Sequence, residues 1–355
     1  IGWRIILIMK FGGRKIKVKG NSALAIAAGV AVAFMFIATI VSVVIYKNRM
    51  EQASELLREA EYKQYDSYVV MISSDDESDF WKQVYEAAKE YGDENRVYVD
   101  LLSQSVDDDY SRAELMEMAI ASGCDGIFIE GDSTEIPQEL FQKAKKADIS
   151  VITLETDVDP ADRVSFIGVN SYTIANLYAK SIVPDLSENT TVMIIGNSTA
   201  EDSNNTSLIN NLQEAISSEM PGEKIEFDLR IIEDDEQFAT EEYIQNLFMN
   251  NQVAPFVICL DEDTTTSFYQ AMIDYNKVGQ IHLYGNYKTP TILTGIQHGV
   301  IKSTVSIDAE SMGSAATKAF IEYRDTGYVS DYINVDTQII DMSNVAEYLE
   351  EGSHE

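Results

Sequence analysis

YVVMISSDDESDFWKQVYEAAKE, residues 68–90, is the stretch on which the fold of this chain turns. It opens on a short unbroken apolar run, the mark of a β-strand covered on both faces. A polar turn follows. From Phe80 onward the apolar positions Val84, Ala87 and Ala88 fall at helical spacing. Strand, turn and helix then recur. RVYVDLL (96–102), GIFIE (126–130), SVITLE (150–155) and SFIGV (165–169) read as strands, with helices at 111–121 and 136–147 between them. Parallel strands need such crossovers, so the alternation predicts a doubly wound α/β unit.

The pattern restarts at residue 191. Strands are expected at TVMIIG (191–196), KIEFDLRII (224–232), PFVICL (255–260) and IHLYG (281–285), with helices at 206–216, 240–249, 264–275 and 289–298. GIFIEGDSTE (126–135) and FVICLDEDTT (256–265) echo each other: a strand, then acids, then Ser or Thr where a helix begins. An acid or hydroxyl there caps the new helix. A strand running into a helix is expected over 300–323, a last strand near 331–340, and a frayed acidic tail over 341–355. The reading is two similar doubly wound lobes.

In front of them lies ALAIAAGVAVAFMFIATIVSVVIY (23–46), with no charge and no proline. At about 1.5 Å rise per residue these residues span about 36 Å as a helix, enough to cross a hydrocarbon core of about 30 Å. A buried helix of a soluble protein is the alternative reading. The formal net charge is −33, but the first fifty residues hold eight Lys or Arg and no acid. Six of those bases precede the apolar run, which places a basic N-terminus (1–22) in the cytoplasm and the acidic bulk outside. Residues 47–66 read as a helical stalk. Small residues at Ala38 and Ser42 leave signal cleavage open beside a retained anchor, and Met9 is an alternative start to Ile1.

So acidic a surface argues against nucleic acid. Cys124 and Cys259 each sit in or beside a strand-like run, as buried thiols do rather than a disulfide. His282, His298 and His354 are too scattered for a metal cluster, and the enzyme motifs G-x-S-x-G, GxxxxGK[ST] and GxGxxG are absent. Asp157, Asp159 and Asp162 lack a complete calcium-loop pattern, so a solvated turn is the simpler reading. No enzyme, metal or cofactor is expected.

Five segments, in order, carry a family resemblance: ISSDDESDFWKQVYEAAKE (72–90), DGIFIEGDS (125–133), SVITLET (150–156), FIGVNSYTIA (166–175) and STVSIDAESMG (303–313). Together they resemble the type I periplasmic-binding-protein family in its ribose- and galactose-binding branch. The resemblance implies two lobes joined by three crossovers, near Asn170, Asp308 and Tyr332, that hinge shut on a small polar ligand. It divides the chain into a first lobe (67–169 plus 308–331), a second lobe (170–307 plus 332–348) and a tail (349–355). It also implies the ligand site. Phe80 and Trp81 match the aromatic pair that covers a sugar face. Asp132 and Glu155 end two strands of the first lobe, and Asn170 matches the crossover Asn. Asp261, Tyr287 and Asp308 line the other side. A buried site of this kind uses aromatic faces and hydrogen-bonding acids and amides to discriminate hydroxyl patterns.

The chain departs from the family where two guanidinium forks are usual: Thr156 and Leu208 stand there. A different sugar, a derivative, an amine-bearing ligand or a cleft without ligand all fit this change. The function implied is a membrane-anchored extracytoplasmic solute-binding protein serving an ABC importer. The alternative is a co-sensor that signals to a membrane histidine kinase. A repressor of the same fold would need a basic helix-turn-helix where the apolar run stands.

Overall fold

The computed structural model describes residues 8–11, 14–17, 35–42, 45, 47, 65–73, 78–106, 110–131, 135–197, 203–232 and 239–351. The chain divides into two units, Ile1–Leu56 and Leu57–Glu355. In the first, β1 (Ile8–Phe11) and β2 (Arg14–Lys17) pair antiparallel, Ile8 opposite Lys17 and Phe11 opposite Arg14. Residues 35–42 are helical, and Met35, Phe36, Ile37, Ile40 and Val41 are all exposed. Among the described residues no helix is long and apolar enough to cross a membrane. Most of the span expected at 23–46 and nearly all of the stalk at 47–66 lie outside the described residues.

The second unit holds both expected lobes. In the first lobe β3 (Ser67–Ile72) is buried along its whole length, as its unbroken apolar run predicts. It lies between β4 (Val97–Leu101) and β5 (Gly126–Glu130), followed outward by β6 (Ser150–Leu154), β7 (Ser165–Gly168) and β13 (Tyr332–Asn334). All six are parallel. The crossovers are α1 (Asp79–Glu94), α2 (Arg112–Ser122) and α3 (Gln138–Lys146). Ser111 opens α2 with a capping box to Glu114, and Gly123 closes it in the left-handed region.

The second lobe repeats the plan. β8 (Thr190–Asn197) lies between β9 (Ile225–Ile232) and β10 (Phe256–Cys259), then come β11 (His282–Asn286), β12 (Ile301–Ile307) and β14 (Thr337–Asp341), the last antiparallel to β12. Its helices are α4 (Ser171–Ile182), α5 (Ser203–Glu219), α6 (Ala239–Met249), α7 (Glu262–Asp274) and α8 (Pro290–Gln297). The remaining long helix, α9 (Ala309–Thr326), returns to the first lobe and packs on α1, where the Thr317 hydroxyl donates to the Ala88 carbonyl at 2.9 Å.

The structure corrects the sequence reading at three places. Tyr332 was expected to open the second lobe's final segment, but Tyr332–Asn334 pairs with Phe166–Gly168 as the edge of the first sheet. The third crossing therefore falls after Asn334, where Val335 is buried in the first lobe's core and its N–H donates to the Gly168 carbonyl. The acidic end is not a frayed tail throughout: Val345–Glu351 forms α10, held by Val345 against the second core. Helix α4 was not anticipated. Its polar opening hides a stripe of Ala175, Tyr178, Ala179 and Ile182, which packs under β8.

The three crossings are tied to one another. Asp308 N–H donates to the Asp336 carbonyl at 3.0 Å, and the Tyr332 hydroxyl reaches the Gly168 carbonyl at 3.3 Å. Val169, Ile307 and Val335, one from each crossing, are all buried in the first lobe's core. The crossings are thus anchored on that lobe.

Candidate functional site

Parallel strands send their C-terminal ends to one edge of a sheet, and the helices that follow begin there. In this chain the two such edges meet. α1 starts with Phe80 and Trp81, both buried in the first lobe's core. Their rings meet edge to face at 5.3 Å, and Phe80 turns toward the other lobe. There the ring of Tyr287, just past β11, lies 4.9 Å from that of Phe80. The Tyr287 hydroxyl donates to Glu155, which follows β6 in the first lobe. Ser78, immediately before α1, donates to Glu262 at the start of α7 at 3.3 Å, a second bond between the lobes.

The electrostatics follow from burial. Burial, with Glu130 near, pushes the Glu155 carboxyl up to about 8, although the Tyr287 hydrogen bond pulls it down. The Tyr287 phenol is held well above its ordinary value by burial, then by Glu155, with Glu130 and Asp261 adding to it. Tyr287 is therefore a neutral donor, and burial shifts Glu155 toward its protonated form. Carboxyls from both lobes act on the single Tyr287 phenol.

Of the expected site residues, the structure brings Phe80, Glu155 and Tyr287 together, with Trp81 behind Phe80. Asp132 lies outside the described residues. The other three are helix caps. Asp261 accepts from Thr264 N–H at 2.8 Å and from Asn197 N–H at 2.7 Å, which joins β8 to the start of α7. Burial pushes its carboxyl up to about 6, although those two N–H groups favour the ionised form. Asn170 accepts from Thr173 N–H and Asp308 from Ser311 N–H, each at the start of a helix beside the crossings.

Four residues of the site escaped the sequence reading: Arg112, Glu130, Ser78 and Glu262. Arg112, the first residue of α2, is mostly buried and binds Glu135 at 2.8 Å and Glu130 at 3.3 Å. It is a guanidinium on the first lobe's strand-end edge, where Thr156 also lies. Thr156 donates to the Gly131 carbonyl, and Leu208 packs against the second core. The capping box at Ser111 was the available signal, because a helix that follows a strand begins at this edge.

The aspartates weighed as a calcium loop are used otherwise. Asp157 holds Arg163 through two bonds of 2.6 and 2.7 Å, Asp159 accepts from Ala161 N–H, and Asp162 accepts from Gln138. No group of three or more His, Cys, Asp or Glu among the described residues is placed to hold a metal ion. Cys124 and Cys259 are free buried thiols, as expected, and burial pushes the Cys124 thiol up to about 12.

A pH dependence follows from Glu155. Its folded value of about 8 lies above the ordinary 4.5, so the fold prefers the protonated carboxyl. Its contribution to stability is complete below the ordinary value and is lost as the pH rises through the folded one. Asp261 acts with the same sign over a lower window. The melting temperature is expected to fall between about pH 5 and about pH 9, and Glu155→Gln to flatten that fall. An unchanged slope in Glu155→Gln would sink the assignment.

Two doubly wound lobes are tied by three crossings and meet at their strand ends. The chain belongs to the periplasmic binding protein domain family, which it matches over residues 68–326. No curated protein matches it in sequence. Solved structures share the fold. GanP, a glucose-galactose binding protein from Geobacillus stearothermophilus, superposes at TM-score 0.69 and 18% identity, over 78% of this chain and 98% of its own. A periplasmic solute-binding protein of an ABC transporter from Actinobacillus succinogenes, with bound D-allose, superposes at 0.68 and 16% identity, over 80% and 100%. The XylFII–LytSN complex contributes a chain that superposes at 0.65 and 16% identity, over 78% and 98%. The family and the first two of these structures are binding proteins, not enzymes.

Proposed function

We propose that this chain is a membrane-anchored extracytoplasmic solute-binding protein that captures a sugar or sugar derivative for an ABC importer. One observation carries the reading: the facing strand ends bring an aromatic ring, Phe80, and a carboxyl, Glu155, to one spot between two lobes. That is the pairing a polyol ring needs, one face covered and a hydroxyl held. Similar proteins with bound D-allose, D-arabinose and myo-inositol support the solute class.

The anchor rests on the charge-free run 23–46 behind six bases, and on the exposed apolar side chains Met35, Phe36, Ile37, Ile40 and Val41. It puts the N-terminus in the cytoplasm and the clamp outside. The second reading is a co-sensor that reports occupancy to a histidine kinase, favoured by the likeness to the XylFII–LytSN complex. A kinase gene beside this one, in place of a permease gene, would favour that reading.

A thermal-shift panel of glucose, galactose, allose, arabinose, myo-inositol, nucleosides and polyamines tests solute capture. A true ligand at a hundredfold excess over its Kd stabilises by about 2.7 kcal/mol, which shows as a clear rise in melting temperature. A flat response to every compound would remove the capture role.

A further inference from the structure

Tyr287 gives the first lobe both things that a bound ring would give it: a ring against Phe80, tilted at 52°, and a hydroxyl on Glu155. Yet it belongs to the second lobe, far along the chain from either partner. Its placement is enforced. Tyr287 has φ +66°, a left-handed conformation that a bulky side chain rarely adopts. It is pinned there by its N–H on the Val305 carbonyl at 2.9 Å and by the Thr304 hydroxyl on its carbonyl at 2.6 Å. Glu155, at the other end of the bond, has φ +60° and is pinned by its N–H on the Ile167 carbonyl. Backbone strain of this kind persists where the surrounding structure imposes it, and it gathers at clamps and switches.

We propose that Tyr287 is a built-in latch: in the solute-free protein its phenol occupies the ligand's seat and holds the two lobes closed. A solute then binds by displacing the phenol from Phe80 and Glu155. The ligand it yields to must itself present an apolar ring face and a hydroxyl donor, because only such a molecule restores both contacts. The latch rests on the reading of this cleft as a solute seat, but it concerns the empty protein.

Among the described residues, the charged groups around the latch come from both lobes. Glu130 stands near Glu155 from β5, with Arg112 on it and Glu135 on the same guanidinium, and Asp157, held by Arg163, shares the loop of Glu155. From the second lobe Asp261 acts on the phenol, and the Ser78–Glu262 bond lies at the same edge. Tyr287 is the group among these that spans from one lobe to the core of the other, since its ring packs against the first lobe's cluster.

The test needs no solute. Gln104 and Thr291 are exposed, in the loop after β4 and at the start of α8, so cysteines placed there report the separation of the two cleft edges. Cys124 and Cys259 are buried and take no dye. Single-molecule energy transfer on the full chain in detergent is expected to show one closed, high-efficiency population for Tyr287. Tyr287→Ala is expected to move most molecules to low efficiency. Tyr287→Phe keeps the ring and loses the hydrogen bond, so its open-to-closed ratio is expected to rise by about tenfold. If Tyr287→Ala melts outright, Tyr287→Phe carries the test. The proposal fails if the parent chain is already open without solute, or if Tyr287→Phe leaves the ratio unchanged. Either failure leaves the solute panel free to succeed, since that panel reads binding and not the resting state.

Discussion

Trp81→Ala is expected to destabilise the second unit of the chain by about 3–5 kcal/mol, read as a lower midpoint in urea with an unchanged slope. Trp81 is 4% exposed and packs in the first lobe's core with Val84, Phe80 and the α9 residues that cross over it. Truncation removes the largest side chain from that wall and leaves a cavity that the strands cannot collapse into, because Val69, Met71 and Leu101 are already fully packed there. Circular dichroism follows the transition in both proteins, since the variant has lost Trp81 and Trp3 is the other tryptophan of the chain. A loss below about 1 kcal/mol would mean that the indole is not in the core and that its pairing with Phe80 does not support the seat.

Gly313→Ala is the second large effect. A methyl group there would lie 2.0 Å from the Val84 carbonyl oxygen and 2.9 Å from the Ala88 nitrogen. These are backbone atoms of α1, so no side chain can swing away. Relief requires α9 to lift off α1, which also breaks the bond from Thr317 to Ala88. The expected cost is about 3 kcal/mol or more, at the upper end of overpacking. Gly123→Ala is the contrast. Nothing lies within 4 Å of a methyl group there, and only its φ of +74° opposes the change, so about 1 kcal/mol is expected. Equal losses at the two positions would refute the close approach of the two helices. Gly313 bears on function as well, because α9 begins at the Asp308 crossing and carries the first lobe's anchor for it.

The alternation of strands and helices was legible because each central strand is buried on both faces and reads as a short apolar run. Caps were legible for a similar local reason: Asn170, Asp261 and Asp308 sit three residues before the N–H group that each one accepts. The family resemblance implies ligand roles for the same three residues. An acid at a strand end serves a helix start or a ligand with equal ease, and sequence does not separate the two. Helix α4 was missed because its first turn, Ser171–Ile174, is polar and mixed, and its buried stripe has meaning only against β8. The last strand was read as one because residues 332–341 keep a strand-like pattern throughout. The break at Val335, which sends the two halves to different sheets, is set by burial in a core built mainly from residues far earlier in the chain.

Local pattern alone settled that this chain forms two doubly wound lobes behind a basic, apolar N-terminal stretch, with Phe80 and Glu155 at strand and helix ends. Burial periodicity and caps act over a few residues, so they are written in the order of the amino acids. Only tertiary structure decided that Tyr287 reaches Glu155 across a sequence separation of 132, that Arg112 stands over Glu130, and that the third crossing follows Asn334. The first depends on how two separately wound sheets meet and the other two on packing within the first lobe, and all three are governed by contacts between elements that are not neighbours in sequence.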